Sequence, residues 1–168
     1  MFVATYAEAH KDPQLVWPGD LKAAGRIANL SDYVTLLVRD ELLKPSDLKV
    51  FSAAGLKPYE GMLSSGSNGG LFPAFKDENC ALKVYLVKKD DPADTIFLVS
   101  KNYTYNTPLN DSKAKPFGDK GFVVIRKDGS AGIFKKAQAQ ALNLVGQLPG
   151  GGTVESAENC LNPSPATP

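Results

Sequence analysis

Apolar positions along this chain keep one spacing in its first quarter and another in its second half. Leu30, Val34, Leu37, Val38 and Leu42 step by 4, 3, 1 and 4 residues, the stripe of an amphipathic helix. Asp32, Arg39, Asp40 and Glu41 fall mostly on its other side. Ser31 or Asn29 is the expected cap, and Lys44-Pro45 the stop. Ahead of it, Asp20 is placed to cap a short helix through Leu21, Ala24 and Ile27. Phe2, Val3, Tyr6 and Ala9 read as the end of a further helix, closed by Asp12-Pro13.

From residue 81 the period shortens. Leu82, Val84 and Leu86 alternate with Lys83 and Tyr85, and Thr95 to Val99 pairs back across a polar turn at Lys88–Asp94. Gly121 to Arg126, then Asp128-Gly129, then Ala131 to Phe134 predicts a second hairpin, since Asp-Gly tolerates the positive φ that tight turns require. Lys135 to Val145 carries Ala137, Ala141, Leu144 and Val145 at helical spacing and predicts a final helix. Leu48, Val50 and Phe51 suggest a short extended piece pinned to the core. Residues 55–79 are rich in Gly and Ser and read as a long loop, a class that is often functional. Helices first, strands after, and a short helix last give an α+β domain. Its expected extent is residues 1–148 as one globular unit. Gly150-Gly151-Gly152 and the Pro-rich end point to a flexible tail over 149–168.

Composition narrows the function classes. The 168 residues are 43% hydrophobic and 22% charged, with a net charge of +1, ordinary values for one globular domain. Residues 1–100 carry 11 Lys/Arg against 13 Asp/Glu, and residues 101–168 carry 8 against 5. A bias of −2 against +3 is too weak for a nucleic-acid footprint. No run of 18 apolar residues is present, and the N-terminus lacks the pattern of a signal peptide.

Candidate chemistry is sparse. His10 is the single histidine and lies beside Lys11 and Asp12 at the end of a helix. A Cys80–His10 nucleophilic pair has no local signature. Gly66-Ser67-Asn68-Gly69-Gly70 lacks the Lys-Ser/Thr of a phosphate-binding loop. Asp90, Asp91 and Asp94 form one oxygen-rich turn, and Asn106, Asn110, Asp111 and Asp119 another. Calcium takes such oxygens, but neither set has EF-hand spacing, and solvated turns explain both. Cys80 and Cys160 allow one disulfide or two reduced thiols. Their spacing, with one histidine, does not suit a metal site. No catalytic, cofactor or metal residue is assigned.

The pieces, in their order, resemble the soluble part of bacterial type II secretion pseudopilins, the type IV pilin-like proteins. Tyr6-Ala7-Glu8-Ala9-His10 through Trp17-Pro18 is similar to the end of the family's long first helix and the turn after it. Asp32 to Leu43 followed by Lys44-Pro45-Ser46-Asp47-Leu48-Lys49-Val50-Phe51 is similar to its second helix and the piece ending in Val-Phe. Asp119 to Ser130 is similar to its strand ending in Asp-Gly-Ser. Ser52-Ala53 stands where many members have Cys-Pro. The resemblance implies a pilin-like fold, N-terminal helices on an antiparallel sheet of about four strands. It implies a structural, non-enzymatic subunit of a secretion pseudopilus, at the periplasmic face of the inner membrane. Its partners would be other pseudopilin subunits and the secretion machinery, not nucleic acid. It would meet the membrane only through an apolar helix upstream of Met1. No calcium ligands of the family can be placed on this sequence. A Cys80–Cys160 disulfide would suit a periplasmic pilin-like domain. The rival reading is a periplasmic or extracellular binding module that works through the 55–79 loop.

Overall fold

Helix formation begins where proline can start it. In the computed structural model, which describes residues 17–40, 42–44, 47–48, 51–53, 55–57 and 75–163, the first helix among those residues, α1, spans Pro18–Ala23 with Pro18 in its first turn. Proline lacks the N–H that a first turn leaves unsatisfied and already has helical φ. Asp20 therefore sits inside the first turn rather than capping it, and Gly25 at φ 72° ends the run before Ile27. Gly19 is required by closeness: its N–H donates to Val87 O at 2.8 Å, and a Cβ there would lie 2.3 Å from Leu86 O.

Helix α2 spans Leu30–Arg39. Asn29 is its cap: Asn29 Oδ1 accepts from Asp32 N at 2.9 Å while Asp32 Oδ2 accepts from Ala28 N at 2.8 Å. The apolar stripe buries Leu30, Tyr33, Val34, Leu36 and Leu37. The helix stops short of Leu42, whose N–H turns back onto Leu37 O. Leu48 and Phe51 are buried, as pinned positions should be.

The sheet is a four-stranded antiparallel meander in the order β1-β2-β3-β4, with β1 Leu82–Val84, β2 Ile96–Ser100, β3 Gly121–Arg126 and β4 Ala131–Lys135. The α+β class and strand number agree with expectation. The β3–β4 turn uses one left-handed residue, Gly129 at φ 86°; Asp128 instead accepts from Ser130 N at 2.9 Å. Arg126 N donates to Ser130 O, so three residues close the hairpin. A bulge between Ile96 and Leu98 breaks the alternation of β2. Phe97 and Leu98 both join the helical side, while Ile96 and Val99 join the other. All five β2 residues are buried.

Two apolar clusters flank the sheet. One holds α1, α2, Phe51, Phe75, Val84 and Phe97. The other is built from Tyr85, Tyr103, Tyr105, Phe122, Phe134, Val145 and Leu148, with Tyr103 stacked on Phe122 at 3.8 Å between ring centroids. The predicted helix 135–145 is not one helix. A 3-10 turn at Lys136–Gln138 is followed by the short α3, Leu142–Val145. Side chains from elsewhere take its carbonyls: Tyr103 donates to Ala139 O, Tyr105 to Gly146 O, and Arg126 to Leu144 O and Val145 O. Residues 149–163 also depart from the expected flexible tail, because Pro149, Asn159, Cys160 and Asn162 are buried against the sheet. No helix among the described residues is long and apolar enough to cross a membrane. The helix expected at 2–10 and residues 164–168 lie outside the described residues.

Candidate interaction surface

The two edges of the sheet end differently. At β1 the C-terminal segment supplies the missing ladder. Leu161 N donates to Val84 O and Leu86 N to Asn159 O, each at 2.8 Å. The Asn162 amide continues this with a side chain: Oδ1 accepts from Val84 N at 2.8 Å and Nδ2 donates to Leu82 O at 3.0 Å and Asp77 Oδ1 at 2.8 Å. Such edges otherwise template pairing with other chains.

An ion pair anchors that segment. Lys83 Nζ lies 2.9 Å from Glu155 Oε1, and both side chains are 2% exposed. Lys83 also donates to Tyr103 O at 2.6 Å, and Tyr85 Oη donates to Glu155 Oε2 at 3.0 Å. Burial, then the Glu155 charge, pushes the Tyr85 phenol well above its ordinary value. Read from sequence alone, Lys83 is simply the polar member of an alternating strand. Only the fold shows that its face is buried, and no local signal announces Glu155.

Among the described residues no strand pairs with the β4 edge. Arg126 and Ser130 form a hydrogen-bonded pair, and Val123 N turns the other way, toward Ser100 Oγ. By antiparallel alternation the backbone groups of Ala131 and Ile133 point away from the sheet, and among the described residues nothing covers them. Ile133 is 85% exposed. Beside it opens a concavity of about 780 Å³ lined by Phe117, Val123, Ile133, Lys115, Lys120 and Lys135, among others. Phe117 is 53% exposed and held at φ 67°, a left-handed conformation that is costly for a bulky residue. Asp119 is the one carboxylate of the lining, and Lys136 binds it at 2.8 Å, holding it below its ordinary value.

Among the described residues, those singled out from sequence do not assemble into a reactive centre. Cys80 and Cys160 are both free and buried, and no disulfide joins them. The physical reason is placement: Cys80 packs in the helical cluster and Cys160 in the cluster on the opposite face of the sheet. Burial pushes their thiols up to about 11 and about 12, the reverse of an activated nucleophile. His10 and Gly66–Gly70 lie outside the described residues. Of the 55–79 loop, residues 58–74 lie outside them. Its base is closed by Lys57 Nζ on Glu78 Oε1 at 3.2 Å and by Asn79 Nδ2 on Lys57 O at 3.1 Å.

The oxygen-rich turns are already engaged. Lys127 Nζ donates to Lys89 O and Asp91 O, Asp91 accepts from Lys88 N, and both Asp94 oxygens accept from Gln147 Nε2. An ammonium thus takes carbonyl oxygens in the turn considered for calcium. In the second turn Asp111 accepts from Lys113 N, and Asp119 is held by Lys136. Among the described residues no group of His, Cys, Asp and Glu could hold a metal ion. No protein-family model, curated protein or solved structure matches this chain.

Proposed function

We propose that this domain is the head of a structural subunit of a bacterial type II secretion pseudopilus or a related type IV pilin-like filament, acting in protein secretion at the periplasmic face of the inner membrane. One observation carries the reading. Among the described residues, helices α1 and α2 precede a four-stranded antiparallel meander whose last hairpin turns at Asp128-Gly129, the order that the resemblance requires. The role calls for surfaces rather than a reaction. A closed β1 edge beside an open β4 edge gives the molecule two unlike sides, which suits assembly with other subunits.

The test starts upstream. The gene is expected to encode about 20 apolar residues ahead of Met1. Expressed with that segment, the protein should sediment with membranes and give a ladder of cross-linked species with its neighbouring subunits. An upstream sequence without an apolar helix sinks the proposal. The rival, a binding module that works through the 55–79 loop, draws support only from the closed base of that loop. It would gain from a membrane-free protein that captures a small ligand.

A further inference from the structure

We infer that the β4 edge is a docking site for an extended segment of another polypeptide, one that pairs antiparallel and carries a carboxylate and then two apolar residues at alternate positions. This inference does not depend on the filament reading. Three observations carry it.

The first is the backbone. Ala131 and Ile133 present unused N–H and C=O groups, while the Lys135 N–H is taken by Gln138 Oε1 at 2.9 Å. The usable edge is therefore two hydrogen-bonding positions long. An added strand would complete the sheet antiparallel, as the C-terminal segment does at β1.

The second is the face. Ala131, Ile133 and Lys135 lie on one side by strand alternation. That side also bears Val123, opposite Ile133, and the concavity with Phe117. Along its own direction, alternate side chains of the docked strand would meet Lys135, then Ile133 with Phe117, then Ala131.

The third is charge. Among the described residues Lys115, Lys120 and Lys135 line the concavity without a carboxylate partner, and the single acidic residue there is engaged by Lys136. Lys120 adjoins Gly121, which pairs with Lys135, so positive charge gathers at the Lys135 end. A carboxylate there gains charge-assisted contacts, whereas a cation is repelled.

The probe is an acetylated, amidated peptide Thr-Glu-Thr-Val-Thr-Val-Thr, titrated into isotope-labelled protein and followed by amide NMR shifts. Shifts are expected at residues 131–135 and 117, weakening with salt. The peptide with Lys in place of Glu should bind at least about tenfold more weakly. Ile133→Pro removes an edge donor and should abolish binding. Lys135→Glu should lose the Glu peptide and gain the Lys peptide, a swap that mere loss of folding cannot produce. Phe117→Gly relieves the left-handed strain, so it should raise the urea midpoint while weakening the peptide. Shifts confined to other surfaces, or equal binding of both peptides, overturn the inference. Concentration-dependent shifts at β4 without any peptide would also overturn it, by showing a second copy on the edge.

Discussion

Tyr33 is a buried ring with a polar tip. Its ring is buried in the helical cluster, beside an apolar cavity of about 10 Å³, and among the described residues its hydroxyl has no partner. A buried hydroxyl without a partner is a net cost. Tyr33→Phe is expected to stabilise the fold by about 1 kcal/mol, measured by urea unfolding; destabilisation would mean that the hydroxyl is bonded in solution. The Lys83–Glu155 pair behaves oppositely, because each charge needs the other. Lys83→Met should cost about 3–5 kcal/mol by stranding Glu155. The double replacement Lys83→Met with Glu155→Leu should recover most of that in the same experiment. Neither residue's role was legible in sequence. Lys83 obeys alternation, but alternation cannot say that the polar face of β1 will be covered by residues 70 positions later.

Elements were legible in proportion to how locally they are stabilised. Helix α2 carries its own stripe and cap, and the β3–β4 hairpin its own turn residues, so both form where the pattern puts them, although α2 ends at Arg39, short of Leu42. The 135–145 segment has helical spacing yet is divided at the point where Tyr103 captures Ala139 O, while Arg126 takes the carbonyls that its last turn leaves free. The short α1 owes its place to a close approach that the sequence does not advertise. Gly19→Ala would drive a Cβ into the Leu86 and Val87 carbonyls. The expected loss is about 1–3 kcal/mol, with amide exchange speeding first in residues 18–23. An unchanged urea midpoint would show that α1 can shift without loss.

At the scale of the molecule, burial of weak acids makes the fold sensitive to alkali. Cys80 and Cys160, ordinarily at 9.0, are raised to about 11 and about 12, and Tyr103 from 10.0 to about 12. Burial is the leading cause in each. Above pH 9 the unfolded chain releases protons that the folded chain keeps. Stability is thus fully present below that pH and falls as pH rises toward 12. Urea midpoints measured across this range should decline, and Cys80→Ala with Cys160→Ala should flatten the decline. Thiol reagents at neutral pH should label neither cysteine until the protein unfolds. The same placement decides the disulfide question. An even cysteine count allows a bridge, but the two thiols point into different clusters across the sheet.

By itself the sequence determined the class, the strand count, the capped helix and the hairpin, because periodicity and turn chemistry act over a few residues. The tertiary structure alone decided which face of β1 is dry, where the C-terminal segment closes an edge, and which edge stays open. Those outcomes depend on contacts between residues far apart in the chain, and no local pattern encodes which distant segment arrives.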